Sequence, residues 1–511
     1  MIRAGLRNRD QGGSQSSEDA KVTPKRQSNW LAAFTYAIGD LLTKGAKFIL
    51  LPLYLRYLTP DQIGALAVLQ AISVGLTPVF SSGISMAVPR FSHDYQPRSE
   101  QLVATLLCVC LFVSGIGTAL LAAAYLILPV EWGELFGVAT VLLWLLSGFL
   151  RANSTILERR YVIRGEALNF RSLTFLQFAL STALIFAFTL MTDLGLLGIA
   201  IAESFAYGVT LVILSVRLFY HAKPDPKIID WNGTWVYSYP LAIHACMIWA
   251  VCYADRLVLS SYVDLPALGI YHVGYMLATV LSTIALSIKN AWLPNFFKDG
   301  SEDQQAGKMF SSWLMNYFSF VLFFALGMIC IGPLLARSFL TEEYVASLDV
   351  MKVILVALVF HAMFIVLLNP LYLACRTKTI AGISAVALGV NLIAMIGLIP
   401  ITGIFGAAIA SIFGYAIACG LAYWQAGKHY ALNIDWMLII RASVLFLVVA
   451  GSSVIEHESL FVHAVISVCS ILVYIVICVG VPNCFLLEEE RRRVLQFLGK
   501  KTQAVRGVRN E

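Results

Sequence analysis

The sequence predicts an all-α, polytopic membrane protein of about fourteen transmembrane helices, built as two parallel-related six-helix lobes plus two C-terminal helices. Three observations lead there. Of 511 residues, 59% are hydrophobic and only 13% charged, whereas an average soluble domain carries about 25% charged residues. Apolar runs of the length a membrane-crossing helix needs, about 20 residues, follow one another at short intervals from residue 31 to residue 482. The second half of the chain also repeats the first. Such a composition excludes an ordinary soluble enzyme, a disordered chain and a nucleic-acid binder. The net charge of +6 sits in tails and short loops, the distribution expected when Lys and Arg stay on the cytoplasmic side.

In chain order, residues 1–29 are rich in Ser, Gln, Gly, Arg and Lys and read as a disordered cytoplasmic tail without a secretory-signal pattern. Spans are expected at 31–58, 64–89, 102–128, 135–158, 168–191, 194–219, 240–262, 268–294, 309–336, 346–374, 379–400, 404–426, 436–453 and 460–482. The runs are long and do not alternate, which favours helices over the strands of a barrel. Residues 30–222 form the first lobe and 240–428 the second. An interfacial linker, 223–239, lies between them, with Trp231, Trp235, Tyr237 and Tyr239 following the KPDPK loop. Helices 13 and 14 occupy 429–482, and 483–511 is a basic cytoplasmic tail. With the N-terminus inside, the inner loops hold thirteen Lys and Arg, among them Arg159, Arg160, Lys223 and Lys227; the outer loops hold only Arg56 and Arg337. That asymmetry predicts both termini in the cytoplasm.

The repeat has an offset of 205 that grows to 208 through a three-residue insertion. Shifted by 205, Tyr57, Gly64, Val68, Leu76, Ser82, Pro89, Phe91 and Asp94 coincide with Tyr262, Gly269, Val273, Leu281, Ser287, Pro294, Phe296 and Asp299. Later the offset is 208: Gly195, Gly198, Phe205 and Tyr207 coincide with Gly403, Gly406, Phe413 and Tyr415. Six spans per copy give both copies the same orientation, and the interface of such parallel repeats is where transporters place the substrate path.

Charges inside spans are costly, about 2.5–3.5 kcal/mol each at a helix centre, so they face a wet cavity or a partner. Asp40, Lys44 and Lys47 lie on one stripe of the first helix. Asp40 can pair with Lys44, leaving Lys47 for an anion. Asp255 and Arg256 are neighbours in helix 7, and Lys289 lies in helix 8. Arg151 and Arg171 are expected near the cytoplasmic ends of helices 4 and 5, and Glu203 lies in helix 6. Together they predict a cationic cavity between the halves, suited to an anionic substrate. Structural alternatives stand beside each: lysines that snorkel, an Asp255–Arg256 pair that only ties helices together, and arginines of the cytoplasmic rim. His244, His272 and His361 fit structural imidazoles better than a proton relay. The ten cysteines form no CxxC pair and the eight histidines no ligand spacing, so neither a metal nor a cofactor is expected. No phosphate-cradling loop or nucleophile elbow is present, and the chain is not expected to be an enzyme.

The segment GDLLTKGAKFILLPLYLRYLTPDQIGALAVLQ (39–70), the later PRF of Pro89 to Phe91, and the second-half copy ADRLVLSSYVDLPALGIYHVGYMLATVL (254–281) resemble the polysaccharide-unit (Wzx-like) flippases. These belong to the multidrug/oligosaccharidyl-lipid/polysaccharide (MOP) exporter superfamily, which also contains the MATE drug exporters. The resemblance implies two six-helix lobes in a MATE-like V around a central cavity, often with two further helices. It implies transfer of undecaprenyl-diphosphate-linked oligosaccharide to the outer leaflet of a bacterial inner membrane for O-antigen or exopolysaccharide synthesis. A polysaccharide polymerase and a chain-length regulator would be its partners. Lys44 and Lys47 match by position the cationic lining expected to receive the diphosphate.

Physical chemistry agrees with that expectation. Stripping sugar hydroxyls of water costs several kcal/mol each unless replacement partners are supplied, and a polar cavity supplies them while the prenyl tail stays in lipid. Two other readings compete. One is a cation-coupled drug exporter with Asp40 as coupling carboxylate, disfavoured by the adjacent lysines. The other is a lipid II flippase. A membrane-embedded polymerase would need a larger outer loop than this chain has.

Overall fold

The computed structural model describes residues 47–81, 83–85, 88, 98–127, 136–163, 167–299, 304–374, 376–428 and 432–454. The tail 1–29, most of the first expected span with Asp40 and Lys44, the fourteenth span at 460–482 and the basic tail lie outside those residues. The described residues are helical, without strands. In order the helices are α1 (Lys47–Tyr57), α2 (Pro60–Ser81), α3 (Ser99–Ile127), α4 (Val138–Ile163), α5 (Ala167–Met191), α6 (Gly195–His221), α7 (Trp231–Leu259), α8 (Leu265–Asp299), α9 (Gln304–Ala336), α10 (Ser347–Leu367), α11 (Thr377–Thr402), α12 (Ile404–Gly427) and α13 (Trp436–Val454). A short turn of helix, Asn369–Leu373, prolongs α10 past the break that Pro370 enforces by lacking an N–H. Among the described residues, eleven helices are long and apolar enough to cross a membrane, and the chain is a multi-pass membrane protein.

Local chemistry sets the helix ends. Pro60 takes the first position of α2, where its missing N–H costs nothing. Ahead of it, Thr59 and Gln62 exchange side-chain to backbone bonds of 3.2 and 3.4 Å, as a capping box does. Asp230 caps α7 through Gly233 N–H at 3.1 Å. As a result, residues 231–239 of the expected linker are the first turns of α7. Only 222–230 is a connector, and it is pinned to the first lobe. Asp225 N–H donates to Thr105 Oγ1 at 2.9 Å, and Ile229 is buried in a cluster with Leu102 and Leu218.

The two lobes share one packing scheme. In the first, α2 packs on α4, α4 on α6, α6 on α5 and α3 on α4; in the second, α8 packs on α10, α10 on α12, α12 on α11 and α9 on α10. Each relation recurs six helices later. The hairpin glycines repeat too. Gly195 and Gly403 open α6 and α12 in the left-handed region, at φ +50° and +59°, where a side chain would strain the backbone. Small polar side chains tie the helices inside the lobes: Ser73 meets Ser147 at 2.8 Å, Asn153 donates to Ser114 at 2.9 Å, and Tyr317 donates to the Ala285 carbonyl at 3.0 Å.

Between the lobes, α2 meets both α8 and α7. The α2–α8 contact is reciprocal. A Cβ on Gly64 would collide with the Leu265 carbonyl, and one on Gly269 with the Pro60 carbonyl, so each glycine admits the other helix's backbone. Nearby, Tyr344, fully buried, donates to the Leu58 carbonyl at 2.9 Å. Further along α2, Gly75 lies under the Trp249 ring, whose Nε1–H donates to the Ala71 carbonyl at 3.0 Å. Near its other end, Gly83 closes on the Ser238 carbonyl.

Candidate functional site

The charges within the spans form ion pairs, one inside each lobe. Arg151 stands at the middle of α4, not near a helix end as the sequence suggested, because α4 runs on to Ile163. Its Nη2 bonds Glu203 Oε2 of α6 at 3.2 Å, and its guanidinium lies over the Tyr207 ring, 4.8 Å from the centroid. Both partners stay partly open, at 19% and 17% side-chain exposure. The Nε of Arg151 is buried and finds no acceptor among the described residues.

Arg256 and Asp255, close to the end of α7, form a second and tighter pair. Arg256 Nη1 bonds Asp255 Oδ1 at 2.6 Å, with 3% and 2% side-chain exposure. Asp255 also accepts from the Arg256 backbone N–H at 2.9 Å and from the Tyr271 hydroxyl at 2.5 Å. Arg256 folds back along its own helix to the Cys252 carbonyl, at 2.7 Å, and lies 3.9 Å from the Tyr275 ring centroid. Cation–π contact of this kind is worth about 2 kcal/mol when desolvated. The pair therefore fastens α7 to α8.

Tyr253 of α7 has its ring centroid 5.2 Å from the Arg256 guanidinium and also feels the charge of Arg151. Lys289, half-buried on α8, acts electrostatically on His361 of α10, which packs against Tyr415 at 4.8 Å between centroids. Tyr415 in turn donates to Cys252 Sγ at 3.7 Å. His272, one turn along α8 from Gly269, is buried, and among the described residues neither ring nitrogen has a hydrogen-bond partner.

Of the residues expected from sequence, Arg151 pairs inside the first lobe and Asp255 with Arg256 inside the second. Lys289 lies near the second pair, linked to it through His361, Tyr415 and Cys252. Arg171 lies in the first turns of α5 and Lys47 is the first residue of α1; Lys44 and Asp40 lie outside the described residues. Sequence reasoning missed Tyr207, Tyr253, Tyr271 and Tyr275. The one available signal was the repeat identity of Tyr207 with Tyr415. An apolar cavity of about 380 Å³ between α9, α10, α12 and α13 was likewise not foreseen; Phe318, Phe360, Met363, Trp436 and Phe446 line it. Among the described residues, no group of three or more His, Cys, Asp or Glu side chains is placed to hold a metal ion.

Two helical lobes of one packing scheme, joined where α2 packs on α7 and α8, give the fold shared with transporters of the MOP superfamily. A family model described as "Polysaccharide biosynthesis protein" matches residues 30–299, more than half of the chain, which belongs to that family. No match to a curated protein is found. Among solved structures, the lipid II flippase MurJ in an inward closed conformation is similar at 13% identity, with a TM-score of 0.69 over 88% of this chain and 98% of that one. An inward-facing multidrug resistance MATE family transporter of the MOP superfamily gives 0.61 at 12% identity, over 78% and 97%. The Vibrio cholerae MATE transporter VcmN in its bent form gives 0.51 at 17%, over 78% and 96%. The neighbours in fold are transporters and flippases, not enzymes.

Proposed function

We propose that this protein is a flippase that carries oligosaccharide units on undecaprenyl diphosphate from the cytoplasmic to the outer leaflet of the bacterial inner membrane, for surface polysaccharide synthesis. The observation that carries the reading is Arg151: a guanidinium at the middle of α4, partly open, with a donor that has no partner among the described residues. A diphosphate is the ligand that a planar guanidinium fork matches, two bonds at a time. Tyr207, whose ring lies under the guanidinium, offers a hydroxyl to sugars. Lys44 and Lys47 extend the cationic lining on sequence grounds, with Lys289 and Arg171 as further members; the Asp255–Arg256 pair, buried and internally neutralised, is a tie between helices instead. The apolar cavity beside α13 suits a length of hydrocarbon, which gains from staying out of water. Rocking of one lobe on the other would alternate access.

The decisive experiment deletes the gene and follows lipid-linked saccharide. Repeat units should accumulate on the cytoplasmic leaflet and surface polysaccharide should disappear, with Arg151→Gln failing to restore it. Normal polysaccharide in the deletion strain would sink the reading. The likeness to MurJ favours a second reading, transport of lipid II itself; a deletion that is lethal through arrest of cell-wall synthesis would select it. Altered drug susceptibility with intact polysaccharide would select a MATE-type exporter.

A further inference from the structure

The two arginine pairs are held differently, and the difference shows which can exchange partners. Asp255 is fixed from three directions by Arg256 Nη1, the Arg256 backbone N–H and the Tyr271 hydroxyl, and is 2% exposed. Glu203 holds Arg151 by one bond of 3.2 Å and is 17% exposed. The atoms involved matter. In a guanidinium, Nε and Nη2 point along the same edge, the edge on which a phosphate or carboxylate sits side-on with two parallel bonds. Glu203 occupies the Nη2 half of that edge, and the Nε half is buried and unused. Half of that two-point edge is thus taken by an internal carboxylate, and the other half is covered but without a hydrogen-bond partner among the described residues. Glu158, two turns along α4, acts on Arg151 only through its charge.

We infer that Glu203 is a displaceable stand-in for the substrate's phosphate, which neutralises Arg151 in the empty carrier and yields the Nε–Nη2 edge when the lipid-linked diphosphate enters. This rests on the reading of Arg151 as an anion site and adds a role for the carboxylate. A carrier must return empty after each delivery, and a bare guanidinium dragged through the closed, dehydrated intermediate would be strongly disfavoured. With Glu203 on the arginine, the empty site crosses as a neutral pair. With substrate bound, the displaced carboxylate repels the phosphate and assists its release. Glu203 is therefore a positioning residue for turnover, and removing it should tighten binding while slowing the cycle.

The test uses the full-length protein in detergent and in liposomes, with farnesyl diphosphate as the binding probe and a fluorescent polyprenyl-diphosphate sugar as the flipped lipid. Glu203→Gln is expected to bind farnesyl diphosphate about tenfold more tightly, the scale of one like-charge neighbour in a partly buried site, and to flip lipid more slowly by a similar factor. Arg151→Gln should lose binding, and Arg151→Gln/Glu203→Gln should behave as Arg151→Gln does. Glu203→Ala, which also removes the charge, serves if Glu203→Gln does not fold, and should move binding the same way. No farnesyl diphosphate binding by the wild type would overturn the flippase reading and this inference together. Binding that depends on Arg151 but is unchanged or weakened in Glu203→Gln and Glu203→Ala would overturn the exchange alone.

Discussion

Asp255 and Arg256 are adjacent in sequence, and adjacent helical side chains point about 100° apart. They pair only because Arg256 bends back towards Cys252 and Tyr271 closes over the carboxylate. Breaking one side of a buried pair strands the other charge, at a cost of about 3–5 kcal/mol. Asp255→Asn should therefore melt well below the wild type in detergent, and adding Arg256→Gln should recover part of the loss. A double variant no more stable than Asp255→Asn would show that the pair is not the source. Arg151→Gln should cost less, about 1 kcal/mol or below, because its pair is partly open and singly bonded; its effect should appear in flipping. At this scale the sequence located the charges but not their company. Charge inside an apolar run is visible in one dimension, whereas Tyr253, Tyr271 and Tyr275 gain meaning only when α7 and α8 pack.

At the scale of the element, apolar run length was enough to find the helices of the described residues, because a membrane leaves backbone groups no partner but their own helix. Ends were less legible. The tryptophans and tyrosines after Lys227 suggested an interfacial linker, yet Asp230 caps a helix that begins at once. The sequence puts Arg151 near the cytoplasmic end of a span at 135–158, yet α4 continues to Ile163 and holds it at the middle. Gly64 and Gly269 appeared in the repeat as identities without a reason; the reason is the backbone approach of α2 to α8. Gly64→Leu should pry that end of the lobes apart. Spin labels on Tyr57→Cys and Tyr262→Cys, both exposed in the wild type, should then report a longer distance. An unchanged distance would mean that the contact does not hold the lobes.

The whole molecule follows from a duplicated six-helix plan, and thirteen cationic loop residues against two predict which side of it faces the cytoplasm. Cysteine at Lys223 should react with an impermeant maleimide only after the cells are opened, and cysteine at Glu343 in intact cells; the reverse pattern would invert the topology. The Gly64–Gly269 junction carries one more consequence. Two separate but identical subunits meeting this way would have to accept every substitution twice, once on each side. Fusion into one polypeptide lifts that obligation, so the faces can specialise independently. They have done so: the residue 205 positions before His272 is Ala67, and a seam that began with matching halves now has an imidazole on one bank and a methyl group on the other.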